Sequence, residues 1–152
     1  MEYSIKEVAK IIGAKGNELH DDAITILLTD SRTVSFPEQS LFFALKTKTN
    51  DGHKYIPELY KLRVRNFVVS EMAPEFANLT DANFLLVKDP LRALQQLAIH
   101  HRKKFDIPVI GITGSNGKTI VKEFLYQLLH TEFNIVRSPR SFNSQLGVPL
   151  SV

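Results

Sequence analysis

The chain has 152 residues, 43% hydrophobic and 23% charged, a composition that excludes disordered and fibrous classes. Its net charge of +3 is small and dispersed, which gives no electrostatic footprint for nucleic acid. Cysteine is absent, so disulfide scaffolds, thiolate metal sites and a thiol nucleophile are excluded.

The N-terminus lacks the basic-then-apolar order of a signal peptide, and no apolar run approaches the roughly 20 residues of a membrane span. The expectation is a soluble, cytoplasmic α/β protein without membrane insertion, of one domain or one and a fraction. Ser4–Ile12 reads as the first helix. Ser4 and Glu7 have capping-box spacing, Ile5, Val8, Ala9 and Ile12 form an apolar stripe, and Gly13 suits the stop. Ala23–Leu28 is a β-branched strand ending in the polar turn Thr29-Asp30-Ser31-Arg32. Leu41–Leu45 is a short buried strand, followed by a polar loop over Lys46–Gly52. A helix is predicted over His53–Leu62, and strands over Phe67–Ser70 and Phe84–Val87.

Asp89-Pro90 opens the clearest helix, with Asp at the N-cap and Pro at the first helical position. The run His100-His101-Arg102-Lys103-Lys104 falls in its last turn, where cations complement the helix dipole; a phosphate-binding patch is the less favoured reading. The two adjacent histidines lack the spacing that would aim both at one metal. Asp106-Ile107-Pro108 reads as a domain junction. Beyond it, a strand is predicted over Val109–Thr113, a helix from Lys118 to His130 and a strand over Phe133–Arg137. Strands alternating with helices imply largely parallel sheets.

Three of the seven glycines fall within Gly111-Ile112-Thr113-Gly114-Ser115-Asn116-Gly117-Lys118-Thr119. Glycines let a backbone curl so that several N–H groups point inward, and a following helix N-terminus adds partial positive charge. Lys118 can then reach the outer phosphates of a nucleotide, and the Thr119 hydroxyl can ligate Mg²⁺. A strict P-loop would need glycine at position 112, which is Ile112. The alternative is a tight βα turn with incidental glycines, and the grouping of Gly114, Gly117, Lys118 and Thr119 argues for phosphate.

That departure is itself informative, because Gly-Ile-Thr-Gly-Ser-Asn-Gly-Lys-Thr resembles the ATP loop of the Mur ligases and their folylpolyglutamate synthetase relatives. Thr29-Asp30-Ser31-Arg32, Ser40–Lys46 and Asp51-Gly52-His53-Lys54-Tyr55-Ile56 resemble the N-terminal domain of the ligases adding the third residue and the terminal dipeptide of the peptidoglycan stem. Asn143-Ser144-Gln145-Leu146-Gly147-Val148-Pro149-Leu150 is similar to the segment found in the dipeptide-adding branch. The resemblance implies an α/β fold with a UDP-binding N-terminal domain over 1–106 and the start of a P-loop central ATPase domain over 107–152. It implies ATP and Mg²⁺ as cofactors, and UDP-N-acetylmuramoyl-tripeptide and D-Ala-D-Ala as partners joined through an acyl phosphate.

By the same resemblance Thr113, Gly114, Ser115, Asn116, Gly117, Lys118 and Thr119 would hold ATP, with Lys118 catalytic and Thr119 on the metal. Ser31, Arg32, Lys46, Thr47 and Asn143 would bind the sugar nucleotide. From the residues alone, Asp30-Ser31-Arg32 reads equally well as a hydrogen-bonded turn. His53 reads as a residue that orients its loop, with no proton-transfer role. The segment before Gly147 departs from the family pattern in carrying Arg140, Ser141 and Ser144, a form similar to that of members continuing into an alanine racemase. The Mur-ligase pattern extends well beyond these motifs, so the expectation is an N-terminal fragment without activity of its own. A stand-alone nucleotide or UDP-sugar binding module, or the ligase adding the third stem residue, are the alternatives.

Overall fold

The computed structural model describes residues 2–16, 20–139, 142 and 144–152. The chain separates into two compact units, residues 1–97 and 98–152.

The first unit is built on short strands. β1 (Tyr3–Ser4) pairs antiparallel with β2 (Ala23–Ile24), while β3 (Ile26–Leu28), β4 (Ser40–Phe43), β5 (Asn66–Val69) and β6 (Asn83–Leu86) form a wholly parallel sheet in that order. The predicted strand Ala23–Leu28 is thus two strands serving two sheets. The break falls at Thr25, whose N–H and hydroxyl both turn to Gln39, at 3.0 and 2.8 Å.

Parallel strands buried on both faces need apolar side chains in both alternating rows. One row, Leu28, Phe42, Phe67, Val69 and Phe84, packs with Ile56 and Leu59 of α2 (Ile56–Lys61) and with Phe76. Phe67 stacks on Phe84 at 5.4 Å and meets Phe42 edge-on at 6.5 Å. The other row, Leu41, Phe43, Val68 and Leu85, is equally sealed. α1 (Ile5–Ile12) and α3 (Pro90–Arg102) supply the further buried stripes, Ile5, Val8 and Ile12 and then Ala93, Leu94 and Leu97.

The helix starts follow local chemistry. Ser4 Oγ accepts from Glu7 N–H at 3.2 Å and Glu7 answers on Ser4 N–H at 2.8 Å. Asp89 accepts from Leu91 and Arg92 N–H at 2.9 and 3.2 Å. The predicted helix over His53–Leu62 forms as a 3-10 turn, Gly52–Tyr55, running into α2.

Two buried asparagines sit side by side at Asn66 and Asn83, partners in the β5–β6 register. Asn83 Nδ2 donates to Asn66 Oδ1 at 2.7 Å and to His20 O at 3.1 Å, while its Oδ1 accepts from His20 N–H at 2.8 Å. A one-residue slip would strand these amides in an apolar layer, so the pair specifies register.

The second unit contains α4 (Lys118–Leu129), one residue short of the predicted helix, and a 3-10 turn over Pro149–Ser151. The strands expected at Val109–Thr113 and Phe133–Arg137 are not formed, and among the described residues this unit contains no strand. A strand exists only with a pairing neighbour. Val109 and Ile110 are instead about two-thirds exposed, at 67% and 65%. Residues 133–138 lie along α4 through side chains: Arg137 pairs with Glu123 and stacks on Tyr126 at 4.0 Å, and Lys122 Nζ donates to Ser138 O at 2.9 Å. No helix among the described residues is long and apolar enough to cross a membrane.

Candidate functional site: the carboxyl edge of the parallel sheet

In a parallel sheet every strand ends on the same edge, and that edge is where open α/β folds bind ligands. β3 delivers Asp30, Ser31 and Arg32 to it, β4 delivers Lys46 to Gly52, and β5 delivers Ser70 and Glu71. The order of strands therefore gathers three segments that the sequence keeps far apart.

At the first segment Arg32 folds its fork onto Asp30, with Nε on Oδ1 at 2.9 Å and Nη2 on Oδ2 at 2.6 Å. Asp30 also accepts from the Arg32 N–H at 3.0 Å, capping the 3-10 turn Ser31–Thr33. The side-chain hydrogen bond from Arg32 holds the Asp30 carboxyl at about 2, and Asp30 in turn raises the pKa of the guanidinium. Ser31 is half-buried beside it.

At the second segment the loop closes on itself. Thr47 N–H donates to Asn50 O at 2.8 Å, and the Thr47 hydroxyl bonds Asn50 N–H at 3.0 Å and O at 3.1 Å. Thr47 thus braces the loop that presents Lys46. Asp51 accepts from His53 N–H at 3.0 Å and from His53 Nδ1 at 2.6 Å. The other ring nitrogen, Nε2, accepts the Ser70 N–H at 3.0 Å, which fixes the proton on Nδ1. His53 is buried, 6% exposed, and its two bonds tie the β4 loop to the end of β5.

Lys46 Nζ lies 3.3 Å from Asp51 and 3.2 Å from Glu71 of the third segment. Both carboxylates raise its pKa, Glu71 more than Asp51. Burial pushes the Asp51 carboxyl up, but the hydrogen bonds from His53 and Lys46 outweigh it and hold the group at about 2. Asp51, His53 and Glu71 have the donor types of a metal site, with ligand atoms within 4.8 Å of one another. The Lys46 ammonium already sits between the two carboxylates, and both imidazole nitrogens are committed. The cluster is built around a lysine, not an ion.

Asp30 and Asp51 are more acidic folded than unfolded. Their ionised contacts contribute in full above about pH 4 and are lost as pH falls toward about 2. Urea midpoints are therefore expected to fall over that window, and to fall less steeply in Asp51→Asn. Parallel pH profiles for the two proteins would exclude a contribution from Asp51.

The glycine-rich segment lies in the second unit. Gly114 and Gly117 adopt φ of +150° and +77°, and Gly117 in the left-handed region directly precedes α4. No side chain caps that helix, and Lys118 Nζ curls back onto Gly114 O and Ser115 O. Thr119 stands in the first turn. Thr113, Ser115 and Asn116 line the same exposed turn. The helix that a phosphate loop needs is present, and the strand before it is not. Asn143 lies outside the described residues. Beside it, Ser144 Oγ accepts from Gly147 N–H at 2.9 Å.

Sequence reasoning reached Arg32, Lys46 and Thr47, and read His53 as a loop-orienting residue. It did not reach Ser70 or Glu71, whose place depends on strand order and carries no local signal.

No protein-family model matches the chain. The UDP-N-acetylmuramoyl-tripeptide–D-alanyl-D-alanine ligase of Bacillus subtilis is 30% identical over 151 residues, which are 98% of this chain and 32% of that protein. Among solved structures, MurF from Acinetobacter baumannii matches with a TM-score of 0.88 and 25% identity, over 99% of this chain and 32% of its own. MurF from Thermotoga maritima in complex with ADP matches with a TM-score of 0.67 and 31% identity, over 82% of this chain and 28% of its own. The chain is similar over nearly its whole length to ligases of the Mur family. Within that family the similarity is to the MurF ligases, and the chain spans about a third of the length of the relatives it matches.

Proposed function

We propose that this chain is part of an ATP-dependent ligase that joins D-Ala-D-Ala to UDP-N-acetylmuramoyl-tripeptide during cytoplasmic synthesis of peptidoglycan precursor. Residues 1–106 bind the UDP end of the sugar nucleotide, and residues 107–152 open the ATP-binding domain. The observation that carries this reading is that Arg32 and Lys46 stand on the loops following two adjacent parallel strands, at the carboxyl edge of the sheet. A diphosphate needs such partners: Arg offers a planar fork and Lys a compact charge. Ser31 and Thr47 lie on the same two loops, and Asn143 would contact the muramoyl part.

The phosphate-loop residues suit ATP and Mg²⁺ on the donors they present. An uncapped helix start, the Lys118 ammonium and the Thr119 hydroxyl occupy one turn, with two glycines that keep the backbone open. When bound, ATP would supply the phosphoryl group that turns the tripeptide carboxylate into an acyl phosphate for the dipeptide amine. Lys118 would give up its contacts to Gly114 and Ser115 carbonyls and offset phosphate charge. Thr113, Ser115 and Asn116 would line the turn, and Thr119 would ligate the metal.

The 152 residues alone are expected to bind and not to turn over, since they match about a third of the relatives' length. Titration calorimetry tests this directly. UDP should bind the chain more tightly than ATP does, and Lys46→Met should weaken UDP by about tenfold through loss of a charge-assisted hydrogen bond. Tight ATP binding without UDP binding would reverse the assignment of the two segments.

A further inference from the structure

Lys46 is held by two carboxylates whose roles differ. Asp51 is fixed, since His53 grips it through both its N–H and its ring, and the ring is buried and pinned in turn by Ser70. Glu71 is loose: its side chain is 58% exposed, and among the described residues Lys46 is its hydrogen-bond partner. An exposed pair of this kind is worth little, so the carboxylate leaves its cation at small cost.

A glutamate oxygen at 3.2 Å from an ammonium offers what a phosphate oxygen offers, a charged acceptor at hydrogen-bond distance. We infer that Glu71 is an internal competitor for Lys46, and that a phosphate-bearing ligand binds by displacing it. The inference rests on the reading of this edge as a diphosphate site. Asp51 keeps the lysine aimed at the edge once Glu71 has left. Glu71 lowers the affinity for any phosphate-bearing group, because the incoming group must both displace one carboxylate from the ammonium and approach against its charge. A neutral nucleoside, which makes no use of the ammonium, is unaffected.

The test uses the full chain and the isosteric, uncharged variant Glu71→Gln, with UDP and uridine as probes in low-salt calorimetry. Glu71→Gln should bind UDP about threefold to tenfold more tightly than wild type. That gain should shrink in about 0.5 M salt, where exposed charges are screened. Uridine affinity should be the same for both proteins. If wild type binds UDP and the variant binds it no more tightly, Glu71 does not compete and the inference falls while the site stands. If neither protein binds UDP, the diphosphate reading itself falls and takes the inference with it.

Discussion

Phe67→Ala is expected to destabilise the first unit by about 3–5 kcal/mol, the range for removing a fully buried ring. Phe67 is 0% exposed and sits in the middle of the aromatic row, stacked on Phe84 and edge-on to Phe42. Its loss removes two ring contacts, each worth about 0.5–1.5 kcal/mol beyond burial, and leaves a void between the sheet and α2 that closes only if the neighbouring side chains repack. Urea unfolding followed by far-ultraviolet circular dichroism measures the change. Phe67→Leu should recover most of it. A cost below about 1 kcal/mol for the alanine variant would mean that this row is not the core.

Gly52→Ala should damage stability and binding together. A methyl group at this position would lie 2.8 Å from the Leu45 nitrogen and 2.9 Å from two main-chain carbons of Ala44. These are backbone atoms and cannot rotate aside. The Gly52 N–H also donates to Leu45 O at 2.8 Å, so any retreat of the loop gives up that bond. The expected cost is about 1–3 kcal/mol from overpacking. The loop between these contacts presents Lys46 and Asp51, so UDP affinity should fall by about tenfold, equivalent to about 1.4 kcal/mol. Unchanged affinity in a folded Gly52→Ala variant would detach the loop from the ligand site.

What the sequence disclosed was chemistry that acts over a few residues. Ser4 and Glu7, or Asp89 and Pro90, specify a helix start without help from the rest of the chain, and both starts form as expected. The apolar runs behind β4, β5 and β6 were legible for a similar reason, because a β-branched or aromatic run between turns has few alternatives. Val109–Thr113 has the same composition and forms no strand, because pairing requires a neighbour and local pattern cannot supply one. Ala23–Leu28 looked like one element, and Thr25 divides it only because Gln39 comes alongside.

At the candidate site the cations were legible and their company was not. Arg32 and Lys46 stood out through motif resemblance. That Glu71 faces Lys46, or that Ser70 reaches His53 across 17 positions, follows from β4 and β5 being adjacent and parallel. Asn66 and Asn83 were likewise unremarkable in sequence, and only the register makes them a matched buried pair.

The bond from the Ser70 N–H to His53 has a consequence for how this edge responds to substitution. Ser70 directly follows β5, whose side chains fill the core, while His53 steers Asp51 and through it the lysine. A single polar thread runs from the interior to the Lys46 ammonium. Substitutions in β5 can therefore shift the aim of Lys46 from a distance, and under the proposed function core packing and affinity would change together. Among the described residues the Arg32 turn is closed instead by its own Asp30, so its aim is set locally.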